Sequence, residues 1–289
     1  MTTFATHPPL RSVRPTAAWA PAVVSGALVA GGVVLAVAAG GRLEVEDAVD
    51  GAMLVLFPVV GGALLRRGEA RRLAHVFCAV GVVAGLAMFC GGLTELAVPG
   101  RAVAGLLASV GFLLTLSLLM NALPLLFPDG RLPSRRWRPV AVAAGTSAFL
   151  VTAGTVLAPG PVDEDSTELG ANPLGVAALG EVTDLALTVG FVGFAGCALL
   201  ALASLVARRR HASAAVRRQL RVLATGVGVL VALFLLDSTL QGILGPVYGV
   251  VAAVVALGAV PAASWWALLR RPGAAPTATV PDVTAGQLP

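Results

Sequence analysis

Lysine is missing from this chain of 289 residues: all twenty of its basic residues are arginine. Beside the wealth of Ala, Gly and Val, that bias points to a GC-rich genome rather than to a chemical role. Charge of either sign is scarce, 12% of residues against roughly 25% in ordinary globular domains. So little charge cannot cover a water-facing surface, which leaves lipid as the solvent for most of the chain. Histidine is nearly absent too. His7, His75 and His211 are the only three, and none stands in a motif that would hold a base beside a nucleophile. There is no phosphate-cradling P-loop and no His-Glu-x-x-His pair. His211 lacks the dimerisation helix that a phosphoacceptor would need. Of the three cysteines, Cys78 and Cys90 are twelve residues apart. On one helix that is about 18 Å, too far to pair. With Cys197 they show no metal-binding spacing and read as small apolar packing residues. No enzyme, metal or cofactor is expected.

What the chain does have is apolar sequence, 57% of it, arranged in runs. They cover about 18–40, 51–65, 76–97, 103–127, 139–158, 183–206, 222–241 and 246–269. Each is near the ~20 residues that cross a hydrocarbon core of ~30 Å. The first run exceeds the usual apolar core of a cleaved signal peptide and reads as a retained helix. The second is the shortest and contains Pro58. The expected fold is all-α: a polytopic membrane bundle of about eight helices over 18–271, after a polar segment 1–17. The tail 272–289, rich in Pro, Ala, Thr and Gly, predicts disorder.

The net charge of +5 invites a nucleic-acid reading. The arginines argue against it, because they sit in short clusters between apolar runs, where they record topology. Cytoplasmic loops are enriched in Lys and Arg. With the N-terminus inside, Arg11 and Arg14, Arg66 to Arg72, Arg131 to Arg138, Arg208 to Arg221, and Arg270 and Arg271 all fall on the cytoplasmic side. Only Arg42 and Arg101 face out, among Glu44, Glu46, Asp47, Asp50 and the acidic stretch 163–168. Both termini are therefore expected in the cytoplasm of a bacterial cell. Trp19, Trp265 and Trp266 lie near run ends, at headgroup level, and Gly81 and Gly85 form a small-xxx-small pair that permits close helix contact.

Three segments carry a resemblance: Leu-Leu-Phe-Pro-Asp-Gly-Arg-Leu-Pro-Ser-Arg-Arg-Trp-Arg at 125–138, Asn-Pro-Leu-Gly at 172–175, and Arg-Arg-Arg-His-Ala-Ser-Ala-Ala-Val-Arg-Arg-Gln-Leu-Arg-Val-Leu at 208–223. Together they resemble the N-terminal membrane sensory region of actinobacterial sensor histidine kinases, over most of residues 50–270. In that family the last helix leads into dimerisation and ATP-binding domains. Here the chain continues past Arg270 and Arg271 only to Pro289, so the resemblance implies sensing without kinase catalysis. It also departs early, with Arg-Gly-Glu-Ala-Arg-Arg-Leu-Ala-His at 67–75 in place of an Asn-Pro-Ile-Gly-Trp type start.

Read on their own, Pro128, Gly130 and Pro133 punctuate a tight turn, with Asp129 bonded locally or to Arg131. Arg131, Arg135, Arg136, Trp137 and Arg138 would meet headgroups, at about 1 kcal/mol of attraction per Arg to anionic lipid, or dock a cytoplasmic partner. Val216, Leu220 and Leu223 keep helical spacing beside Arg217, Arg218 and Arg221, as an interfacial helix or as an extension of the seventh span. Ionisable or polar groups within spans are costly and so are functional candidates. They are Glu95, Asp237 and Asn121, with Thr115 and Ser117 near the last. Glu95 has an alternative partner in Arg101. The first functional expectation is signal sensing or regulation through a separate partner, a histidine kinase or other signalling protein. Self-association is left open, and the bilayer is the remaining partner. A small-molecule transporter or permease is the alternative, and Pro58 and Pro124 are its candidate helix breaks.

Overall fold

The computed structural model describes residues 16–40, 45–68, 70–96, 98–162, 169–210, 212–244, 254 and 257–265. Its elements are α1 (Ala20–Ala38, entered through a 3-10 turn at Ala17–Trp19), α2 (Val45–Arg67), α3 (Arg71–Thr94), α4 (Arg101–Leu126), α5 (Arg138–Leu157), α6 (Gly180–Arg209), α7 (Ala214–Leu244) and the short α8 (Gly258–Ser264). Seven of these, α1 to α7, are long and apolar enough to cross a membrane. No strand forms among the described residues beyond one isolated antiparallel bridge, Pro161 to Ala171. The chain is a multi-pass helical membrane protein. The expected eighth span, 246–269, falls mostly outside the described residues, as do the segment 1–15 and the tail 272–289.

The ends of the helices follow elementary rules. Pro21 and Pro139 occupy first-turn positions of α1 and α5, where a missing N–H costs nothing. Gly68 takes φ +69° just beyond α2, the left-handed residue that closes many helices. Several helices are longer than their apolar runs, because charged residues wind into their ends. Asp50 and its acidic neighbours extend α2 back to Val45, which corrects their placement in a loop. Glu181 opens α6, and Arg208 and Arg209 close it; Arg66 and Arg67 close α2. Acid at an N-terminus and base at a C-terminus both suit the helix dipole. Pro58 lies inside a continuous α2 and does not end it.

The helix faces divide by solvent. Phe57 on α2 stacks on Phe77 of α3 at 5.9 Å, and Phe194 on α6 meets Phe234 of α7 edge-on at 5.6 Å. Outward, Val23 is 69% exposed, Phe149 69% and Val192 72%. Aliphatic and aromatic groups that open would be unstable in water and are at home against lipid tails. Cys78, Cys90 and Cys197 are buried and free.

In lipid, helices gain little from hydrophobic burial against one another and rely on close packing. Glycine supplies it between α1 and α3, which run parallel. A Cβ on Gly32 would lie 2.5 Å from the Met88 carbonyl oxygen, and one on Gly92 would collide with the Gly32 carbonyl. The Ser25 hydroxyl donates to the Gly81 carbonyl at 2.7 Å. Gly81 and Gly85 turn out to serve different neighbours, Pro58 of α2 and Ser25 of α1.

Candidate functional site

Among the described residues, the clusters Arg66 to Arg72, Arg131 to Arg138 and Arg208 to Arg221 collect at one end of the bundle, the basic end. Arg66 lies over the ring of Trp19 at 5.8 Å, worth about 0.5–1 kcal/mol at an exposed site. Gly130, at φ +74°, sits against Arg72 and Leu73 at the start of α3. The 125–138 segment is therefore folded onto the bundle rather than hanging free.

Arg208 holds it there. From the last turn of α6, its guanidinium donates to Asp129 Oδ1 at 3.1 Å, to the Leu125 carbonyl at 2.8 Å and to the Arg131 carbonyl. Its side chain is 12% exposed and that of Asp129 58%. Only arginine presents several donors in a planar fork, and here the fork joins the carbonyl ends of one turn to a carboxylate. The expected local partner of Asp129 was Arg131. Instead Arg131 contributes its backbone carbonyl, and the ion pair spans α6 to the loop. Sequence spacing carried no sign of this, since Asp129 and Arg208 are 79 residues apart.

Around the clamp lies a positive surface. Arg131, Arg135, Arg136 and Arg138 are exposed, with Trp137 half-buried among them and Arg135–Trp137 forming a 3-10 turn before α5. Arg217, Arg218 and Arg221 are exposed on the first turns of α7. The 214–223 segment is thus a continuous extension of α7, and Leu220 and Leu223 on it are fully buried. That settles the choice between an extension and a separate interfacial helix.

Asn121 lies in a different environment. Pro124 has no N–H to give the Met120 carbonyl. The backbone opens into a π turn over Leu118–Ala122, with the Leu123 N–H reaching the Leu118 carbonyl. Such turns recur at functional sites. Asn121 is 3% exposed, and neither Nδ2 nor Oδ1 has a hydrogen-bond partner among the described residues. It borders a cavity of about 360 Å³ between α4 and α5. Nearby Thr115 returns its hydroxyl to the Gly111 carbonyl at 2.8 Å.

Of the other two intramembrane candidates, Glu95 does not join it. Glu95 is exposed, one residue beyond α3 at the end opposite the arginines. Asn121 lies twenty residues along α4 from Arg101, about 30 Å down the axis. Asp237 lies on the α7 backbone, and its side chain is outside the described residues.

At that opposite end, Asn172 of the Asn-Pro-Leu-Gly motif caps α5. Its Nδ2 donates to the carbonyls of Thr155, Val156 and Ala158 at 3.3, 3.1 and 2.9 Å, while Oδ1 accepts from the Leu174 N–H at 3.0 Å. These carbonyls are the ones a helix C-terminus leaves open. The hairpin it anchors lays Leu169 and Val162 over Gly105 of α4. Its acidic tip, 163–168, is outside the described residues. Among the described residues no group of His, Cys, Asp and Glu is placed to hold a metal. No family model matches the chain, and comparisons with curated proteins and with solved structures find no match.

Proposed function

We propose that this chain is a sensory or regulatory protein of a bacterial cell membrane, with its basic end in the cytoplasm, where it engages a separate signalling protein of the histidine kinase class. One observation carries the reading. The two segments with the strongest resemblance to sensor kinase membrane regions, 125–138 and 208–223, are distant in sequence, yet they are tied together by Arg208 through Asp129, Leu125 and Arg131. A shared clamp gives the two loops one conformation to change. Cytoplasmic placement rests on the arginine bias, and the α7 extension offers a rigid lever from the bilayer into that surface.

The test is a photocrosslinking residue at position 136 in cells of the native source, beside a chain with the same residue at 136 that also carries Arg135→Glu and Arg138→Glu. The expected result is capture of a histidine kinase or response regulator, lost in the double variant. Capture of lipid alone, or of the same proteins by both chains, removes the reading.

The π turn with its buried Asn121 favours a second reading, a small-molecule transporter, since broken helices line many substrate paths. It ranks below the first because the break lies five residues from the basic end of α4, about 8 Å, rather than at mid-span. Substrate uptake by reconstituted vesicles that is lost in Asn121→Ala would reverse the order.

A further inference from the structure

We propose that the cavity between α4 and α5 is a binding site for a neutral, lipid-soluble molecule whose apolar body ends in a group that both donates and accepts a hydrogen bond: a carboxamide, a protonated carboxylic acid or a hydroxyl. The site is also the input of the sensory reading above, on which its signalling role, though not its binding, rests.

Size and lining come first. About 360 Å³ falls in the range that holds small ligands. The α5 wall is built from Ala141, Ala144, Gly145 and Ala148, so the space comes from small side chains. Gly145 is exposed, and a Cβ there would meet nothing within 4 Å. The mouth therefore opens sideways between two membrane-spanning helices, and the route in is from the bilayer. No charged side chain lines the cavity. An ionic ligand would be left unpaired in a lipid-embedded site, at high cost.

Asn121 then supplies the polar requirement. Lipid offers its amide no replacement for water, and buried polar groups without partners are rare. One donor and one acceptor stand side by side, so the complementary ligand offers one of each. Both amide atoms are covered in the observed packing, and binding requires the side chain to turn about χ1 or χ2 toward the space it borders. On the other wall, Leu125, Leu126 and Leu132 belong to the segment that Arg208 clamps. A ligand seated at Asn121 presses on the loop that the proposed partner would read.

The probe is decanamide with a diazirine on its chain, applied to the full chain in phospholipid nanodiscs, with labelled peptides mapped by mass spectrometry. Label is expected on 114–126 and 141–148. Decanamide should compete at least about tenfold better than decane or decyl sulfate, the ratio that one well-made hydrogen bond supplies. Asn121→Leu should cut labelling by a similar factor and raise the unfolding temperature, because it removes a polar group that lacks a partner. Gly145→Phe should block labelling with the fold intact, and it decides the matter if Asn121→Leu folds poorly. Equal competition by decane would reduce the site to an acyl-chain groove. Labelling elsewhere, labelling unchanged by Gly145→Phe, or full labelling of a folded Asn121→Leu would overturn the proposal. None of these readouts involves the cytoplasmic partner, so failure of partner capture and failure of binding are separately visible.

Discussion

Two helix pairs in this bundle meet the same solvent with opposite results. Between α1 and α3, backbone lies on backbone: Gly32 faces the Met88 carbonyl, Gly92 faces Gly32, and no Cβ fits. Between α4 and α5, the small residues Ala141, Ala144, Gly145 and Ala148 face a cavity. Small side chains alone therefore do not close a membrane interface. What closes the first pair is reciprocity, with small residues on both helices in register. In the second most of them lie on α5, and α4 sets Leu114, Leu118 and Leu125 among Ser117 and Ala122. That pair is held at its two ends instead, by Arg208 at the base and by the Asn172 hairpin at the top.

The sharpest way to break the contrast is Gly92→Leu. A side chain there has no room to yield, because the obstacle is the Gly32 backbone. The cost should be about 3 kcal/mol or more, read as loss of the monodisperse peak and a lowered unfolding temperature in detergent. Next in size is Arg208→Ala, which removes the donors that bind Leu125, Asp129 and Arg131. A loss of about 2–3 kcal/mol is expected, with proteolysis appearing within 128–136. Asp129→Asn should cost under about 1 kcal/mol, because that carboxylate is largely in solvent. If the two variants are equivalent, the clamp is an ion pair and not a carbonyl clasp. Asn172→Ala removes the cap of α5 and should cost about 1–2 kcal/mol, with faster amide exchange confined to the hairpin and the last turn of α5. Smallest is Gly145→Ala, with open space beside it, which should gain about 0.5–1 kcal/mol from helix propensity. A loss there instead would mean that α4 and α5 close further than observed.

Much of this was legible in the residue order, for a physical reason. An apolar run of the right length in lipid must be helical to satisfy its own backbone, and seven of the eight expected spans are long apolar helices among the described residues. The boundaries of α2 and α6 did not, because Asp50, Glu181 and Arg208 look like loop residues until the helix dipole and the headgroup layer are weighed. Asn121 stood out as a polar residue in an apolar run, and Pro124 beside it explains its π turn. The cavity was not legible, since it depends on which residues of α5 come opposite. Asn172 and Arg208 were visible only as motif letters. The carbonyls they bind lie 14–17 and 77–83 residues away, and nothing in their own neighbourhoods names those carbonyls.

By itself, then, the amino-acid order decided the solvent, the helices and the sorting of arginine into clusters, because each of these depends on local length, polarity and the cost of burying backbone or charge. Which helices touch, which glycines seal them, what Arg208 grips and where Asn121 is stranded were decided only by tertiary packing. Those outcomes depend on the register between helices, a relation among distant residues that no local pattern encodes.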